Sequence, residues 1–372
     1  MKILFLTNHL EGTDGWSRVS LDYIRELQNL GCNILCLTHR GPNPLLAPPL
    51  RYLANPLISF ITASKIRRKI KEFSPDVIHF MVEPYANILP FLGKLEAKTC
   101  LTCHGTYAVI PNLIDNFLKK RVSHYLSKNY FQKLTGIIAV SNYTKDYLLK
   151  YYPETASKIK VITNGVNLEE YGIVNLSQKP QNKIKKILFV GAVKERKGVL
   201  QAIEACRHYR DNFSADFIYD IVGNHSEESR YYQILIKKIK EYNLEDKIFF
   251  RGRVAESELK KYYFGADLFL MPSLHIDHNF EGFGLVFLEA AAFGVPCLGS
   301  KDSGSREAIL EGETGYVADP FDFKEIARKM DLILNQNTIR GEDCLNWAKQ
   351  NDIKIKAREL LNFYQNEIQA QK

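Results

Sequence analysis

Glu281 and Glu289 stand near the two ends of an otherwise apolar run, EGFGLVFLEA, with Gly282 and Gly284 just after the first acid. Acids buried without partners are costly, so both should bond something polar, and the paired hydroxyls of a sugar or ribose suit a carboxylate. Glycines at a helix N-terminus let the backbone approach a ligand closely, and the free N–H groups with the helix dipole favour an anion such as a diphosphate. Either acid alone would read as a cap or a structural ion pair; with the glycines in a strand-turn-helix setting, the set points to a nucleotide-linked ligand. Two other clusters invite chemistry. Cys100 to His104, CLTCH, has the spacing of c-type haem attachment, but that needs an oxidising compartment and a second axial ligand, and the run ends a buried strand. His275, Asp277 and His278 are metal-ligand types. Ligands packed so closely in sequence seldom converge without a more distant fourth, so they read as a polar loop and no metal site is expected.

These residues need a scaffold, and the hydrophobic pattern supplies one. Short apolar runs alternate with amphipathic stretches along the whole chain. The first set of strands is Lys2 to Thr7, Asn33 to Leu37, Asp76 to Phe80, Thr99 to Cys103, Gly136 to Val140 and Lys160 to Ile162. After Asn175 to Lys186, a polar stretch that reads as a linker, a second set follows: Lys186 to Val190, Phe217 to Val222, Lys247 to Phe250, Leu268 to Met271, Pro296 to Leu298 and Gly315 to Val317. Helix-length segments separate most neighbours, as in Ser17 to Leu30, where Val19, Tyr23, Leu27 and Leu30 share a face. This is the strand-helix-strand signature of an α/β chain with two doubly wound parallel sheets. The expected domains are 1–178 and 179–351, with a final amphipathic helix over 352–372 able to pack back on the first. Open α/β sheets bind ligands at the carboxyl ends of their strands, so two such domains would face each other across a substrate cleft.

Composition agrees with a globular protein: 372 residues, 45% hydrophobic and 25% charged, excluding disorder and small disulfide scaffolds. The longest apolar stretch, Gly282 to Ser300, is broken by Glu289 and by Gly and Pro, so no membrane span is expected. The start, MKILFLTNHL, reads as a strand and not a signal peptide. With seven scattered cysteines, that makes a cytoplasmic protein with reduced thiols the expectation. Charge is unevenly placed. Residues 1–180 carry 22 Lys and Arg against 13 acids, and the remainder 28 against 29. Lys65, Arg67, Arg68, Lys69 and Lys71 form one basic segment; Lys119, Lys120, Arg121, Lys128, Lys133 and Lys145 form another that holds no acid, interleaved with Tyr125, Tyr130 and Phe131. A basic-aromatic segment of this kind can lie on an anionic lipid surface, which makes peripheral contact with a membrane an expectation. The basic half has no recognisable nucleic-acid module, so no nucleic-acid partner is expected.

EGFGLVFLEA resembles the Glu-x7-Glu motif of family-four glycosyltransferases, the retaining group of GT-B architecture also described as glycosyl transferases group 1. Other segments match in order: Glu11 to Trp16 (EGTDGW), Thr102 to Gly105 (TCHG), Ile138 to Asn142 (IAVSN), Ile162 to Asn167 (ITNGVN), Val190 to Gly198 (VGAVKERKG), Ser303 to Ile309, Gly312 to Val317, and Trp347 ahead of the last helix. The resemblance implies transfer of a hexose-type sugar from a UDP-sugar or GDP-sugar to a saccharide or lipid-linked acceptor, in cell-surface polysaccharide or glycolipid synthesis, without a metal or other cofactor. It implies that Glu289 holds the ribose hydroxyls and Glu281 the donor sugar. Backbone amides of Phe283, Gly284 and Leu285, with Gly15 from the other domain, would cradle the diphosphate. Lys197 would neutralise the leaving phosphate, and His104 would sit near the anomeric carbon. Base and sugar selection would come from around Glu281 and from Arg251 to Val254, with Arg253 among the donor contacts. Where the family usually has Arg after Val-Gly, this chain has Ala192, and Arg196 is the residue placed to supply the second cation. A nucleotide-sugar epimerase of the same architecture and a non-catalytic donor-binding relative are the alternatives.

Overall fold

The computed structural model describes residues 1–12, 15–41, 44–105, 107–172 and 174–369. Contacts divide the chain into two units, residues 1–165 with 353–372, and residues 166–352. In the first unit lie β1 (Lys2–Leu6), β2 (Asn33–Leu37), β3 (Val77–Phe80), β4 (Lys98–Cys103), β5 (Gly136–Ala139) and β6 (Ile159–Val161). All pair in parallel, in the order β2-β1-β3-β4-β5-β6. The second unit holds β7 (Lys185–Val190), β8 (Phe217–Val222), β9 (Ile248–Gly252), β10 (Leu268–Leu270), β11 (Cys297–Ser300) and β12 (Gly315–Ala318). Their order is β12-β11-β10-β7-β8-β9, again parallel throughout. Both sheets fall where the apolar runs place them, because parallel strands covered on both faces are continuous hydrophobic runs. Ile187, Leu188 and Phe189 of β7 and Ile3 to Leu6 of β1 are buried almost completely.

Each sheet reverses its winding once. In the first the reversal lies between β1 and β3, and in the second between β7 and β10. Loops leaving the carboxyl ends of the two strands at a reversal diverge, and that opening is where doubly wound sheets take ligands. The loops in question are those around Met81 to Glu83 in the first unit, and Gly191 to Lys197 with Met271 to Glu281 in the second.

The unit boundaries differ from the expected division at residue 178. Residues 166–178 belong with the second unit, because that is where their bonds go. Glu170 O accepts from Lys260 Nζ at 2.5 Å, and Leu176 lies against Gly294 and Gly341. Just beyond, Lys179 Nζ donates to Gly294 O at 3.0 Å. The final helix, Ile353–Gln369, closes the first unit: it packs along the helix Gly15–Asn29, and Tyr364 bonds His79 Nδ1 on β3, deep in the core. Among the described residues no helix is long and apolar enough to cross a membrane.

Candidate active site

In the second unit, β7 ends at Val190 and the chain runs through Ala192 to a single helical turn, Glu195–Lys197. Gly198 then takes a left-handed conformation, φ +72°, to start the helix Val199–Asn212. Its lack of a side chain is required as well as its φ. A Cβ there would fall 1.9 Å from the carbonyl oxygen of Pro272, in the loop after β10. The same loop is stitched to the first by Leu274 N–H, which donates to Arg196 O at 2.8 Å. A third loop joins them, since Gly304 N–H, after β11, donates to Glu281 O at 2.8 Å. The backbone is therefore fixed on three sides of the point where Arg196, Lys197 and Glu281 meet.

At that point both cations reach one oxygen. Arg196 Nη1 lies 3.1 Å from Glu281 Oε2, and Lys197 Nζ bonds the same atom. Burial alone would raise the Glu281 carboxyl, but Lys197 and Arg196 outweigh it and hold the group at about 2. Glu281 is thus an ionised acceptor at neutral pH. Burial pushes the Lys197 amine down, against the pull of Glu281 and helped by Arg196 and Lys194. Ala192 is exposed and makes no contribution to this cluster, whereas Arg196 supplies a guanidinium within it.

The helix Leu285–Ala292 begins immediately after this cluster. Gly284 precedes it with φ +78°, and a Cβ there would meet Phe287 Cδ2 at 2.7 Å. Phe283 is buried and Leu285 half-buried. The first-turn N–H groups of a helix have no partners within it, so they and the helix dipole add to the positive potential beside Arg196 and Lys197. Further along, Glu289 is 5% exposed and accepts a hydrogen bond at 2.7 Å from Tyr263 Oη. Tyr263, which stacks on Phe293, is a partner that sequence reasoning missed. A buried acid signals that a donor must exist, but two adjacent tyrosines precede β10, and the pattern does not choose between them.

The remaining expected residues are placed differently. Arg253 is exposed just beyond β9, while its neighbour Arg251 is committed to Asp220 at 2.6 Å and to the face of Phe249. Gly15 is the exposed first residue of the helix Gly15–Asn29 in the first unit, where a Cβ would meet nothing within 4 Å. Thr13 and Asp14 of EGTDGW lie outside the described residues. His104, also in the first unit, follows β4. Its Nε2 lies 3.0 Å from Met81 O, and its backbone N–H donates to Glu83 Oε1 at 2.7 Å. Burial lowers the imidazole to about 4 against the opposing pull of the Met81 carbonyl, so the ring is neutral at pH 7. A neutral ring that donates from Nε2 carries its lone pair on Nδ1. Glu83 is a second residue the sequence reading passed over. Among the described residues, no group of three or more His, Cys, Asp or Glu side chains is arranged to hold a metal ion.

Both halves of the chain are similar to known proteins. Residues 175–354 match the family model described as glycosyl transferases group 1, and residues 13–170 match that of glycosyltransferase family 4. The chain is 33% identical over 262 residues to the amylovoran biosynthesis glycosyltransferase AmsK of Erwinia amylovora, a match covering 69% of this chain and 61% of that one. It thus spans about three fifths of that relative's length. Among solved structures it is similar to a glycosyltransferase from Rickettsia africae, with TM-score 0.77, 22% identity, and coverage of 99% of this chain and 98% of that one. It is also similar to HepE of Anabaena in complex with UDP and glucose, with TM-score 0.73, 19% identity and coverage of 97% and 98%. Two parallel-sheet, Rossmann-like units of GT-B type, and two family models that between them span 13–170 and 175–354, carry one conclusion: this chain belongs to glycosyltransferase family 4.

Proposed function

We propose that the protein transfers a hexose-type sugar from a nucleoside-diphosphate donor to a saccharide or lipid-linked acceptor, with retention of configuration, in the synthesis of a cell-surface polysaccharide or glycolipid. The observation that carries this reading is the convergence of Arg196 and Lys197 on one oxygen of Glu281 beside the helix starting at Leu285. Two cations and a helix N-terminus form a fixed electropositive cradle, the chemistry a departing diphosphate requires. A donor diphosphate would take over the two cations and release Glu281 to accept from sugar hydroxyls, while Glu289, oriented by Tyr263, accepts from the ribose. With Lys197, Arg196 and the helix neutralising the leaving group, no metal ion is assigned a role. Retention follows if the acceptor hydroxyl attacks on the face the diphosphate leaves and its proton passes to the leaving phosphate oxygen. His104, neutral with Nδ1 free of a proton, suits a hydrogen bond accepted from a hydroxyl near the reacting carbon. The AmsK relative's role in amylovoran biosynthesis and the UDP and glucose of the HepE complex support the polysaccharide setting and the donor class.

The test is a thermal-shift and hydrolysis screen against UDP-glucose, UDP-N-acetylglucosamine, UDP-galactose, GDP-mannose and the free diphosphates. One donor should stabilise the protein and be slowly hydrolysed. In Glu289→Ala its affinity should fall by about tenfold or more, the cost of a charged hydrogen bond lost to the ribose. Binding that survives in this variant would remove Glu289 from the site; no binding by the wild type would undercut the site itself.

The acceptor is proposed to lie on a membrane. In the helix Phe117–Lys133 the first six residues, Phe117 to Val122, are all exposed, and Phe117, Leu118 and Tyr125 are each about 70% exposed beside Lys119, Lys120 and Arg121. A second helix, Pro56–Phe73, exposes Leu57, Phe60 and Ile61 and carries Arg68 and Lys69. Both helices pack on the segment Glu83–Phe91, where Arg67 Nη2 bonds Phe91 O at 2.5 Å and Lys133 Nζ bonds Pro90 O at 3.2 Å. Exposed apolar side chains set among cations match an anionic lipid surface. Each cation near such a surface contributes about 1 kcal/mol, so reversing Lys119, Lys120 and Arg121 to Glu should weaken binding to phosphatidylserine vesicles by about 100-fold or more at low salt. Unaltered sedimentation with vesicles would remove the membrane from the proposal.

A further inference from the structure

We propose that Glu83 is the positioning residue for His104, an inference that rests on the transferase reading above. His104 is held by a single loop at two points. Its ring Nε2–H donates to Met81 O at 3.0 Å, and its backbone N–H donates to Glu83 Oε1 at 2.7 Å. These contacts join the carboxyl ends of adjacent strands, β3 and β4, next to the point where the first sheet reverses its winding. With ring and backbone both fixed, the bare Nδ1 has one direction in which to point.

The carboxyl that does this is expensively placed. Glu83 is 1% exposed, and its second oxygen, Oε2, makes no hydrogen bond. A buried polar atom left in that state costs free energy that an apolar side chain would not. The titratable groups facing it are Cys103 of β4, Tyr130 of the helix Phe117–Lys133, and His104 itself. Burial pushes Cys103 and Tyr130 well above their ordinary values and lowers His104, so at neutral pH none of the three is charged. Burial also raises Glu83 to about 7, opposed by N–H groups including those of His104 and Gly105, which favour its ionised form. Glu83 therefore ionises in a pocket of neutral groups, where the N–H groups that favour its carboxylate are its own and those of His104 and Gly105.

The full-length protein labelled with ¹⁵N-histidine tests this directly. In the wild type the His104 amide, assigned by its loss in His104→Asn, should shift with a midpoint of about 7 as its acceptor ionises. In Glu83→Gln, which retains an oxygen for that N–H, the step should vanish while the amide keeps its hydrogen-bonded shift. In transfer assays Glu83→Ala should lower kcat by about tenfold or more while donor KM stays within about threefold, and Glu83→Gln should recover most of the loss. An amide step that survives in Glu83→Gln, or an unchanged kcat in Glu83→Ala, overturns the proposal. If the wild type turns over no donor, the transferase reading fails separately, and the amide titration still decides whether Glu83 holds His104.

Discussion

A Lys197→Ala variant is expected to lose about two to three orders of magnitude in kcat, about 3–4 kcal/mol of transition-state stabilisation, the scale of removing one positioned charge partner from a leaving group. The effect should fall on turnover more than on donor affinity, because negative charge on the diphosphate grows as the sugar departs. Arg196 remains in the variant and still pairs with Glu281 at 3.1 Å, so the carboxylate keeps one cation and the loops keep their backbone bonds through Leu274 and Gly304. Steady-state kinetics with the donor identified by the screen separate the two quantities. A kcat within about threefold of wild type would mean that Lys197 only neutralises Glu281 and does not serve the leaving group. Arg196→Ala, by comparison, reports how far this guanidinium replaces the arginine that the family usually carries at the position of Ala192.

The second large effect is structural. Gly198→Ala is expected to destabilise the second unit by about 3 kcal/mol or more, lowering Tm by roughly 10 °C, because two penalties coincide. The left-handed backbone, φ +72°, is strained for alanine, and the new methyl would overlap the Pro272 carbonyl at 1.9 Å. Backbone cannot yield there cheaply: Pro272 lies in the loop whose Leu274 N–H is bonded to Arg196 O. Protein that still folds should have this loop displaced and Glu281 pulled from its cations, so donor binding should fail together with stability. Calorimetry and donor thermal shifts measure the two consequences; a Tm within about 2 °C of wild type would mean that the loops separate more easily than their bonding implies.

Much of this was legible in the residues. Ile187 to Val190 and Ile3 to Leu6 are apolar on both faces, and such runs mark covered parallel strands wherever they occur. Observed strand ends fall within two residues of the expected ones. Glu281 and Glu289 stood out because acids in an apolar run require an explanation. Their partners did not. Nothing in their own spacing marks Arg196 and Lys197, and only the resemblance brought them into the site. The division is expected at residue 178 because Asn175 to Lys186 reads as a linker; within it Leu176 is held against the bare backbone of Gly294 and Gly341, which no periodicity reveals. Glu83 lies in FMVEPYANILP, where two prolines mask helical spacing and nothing marks the acid as buried. Its character comes from being covered by Tyr130 and Cys103, groups distant in sequence.

The final helix also bears on the order in which the molecule is made. Residues 166–352 form one uninterrupted piece, whereas the first unit needs both 1–165 and the helix Ile353–Gln369. A chain emerging from the ribosome can complete the second unit while the first still waits for Tyr364 to reach His79. Through most of synthesis the helix Gly15–Asn29 and the core around β3 are uncovered, so the half of the protein begun first is the half finished last, and the nascent chain is most exposed to aggregation and to chaperone capture in its first unit.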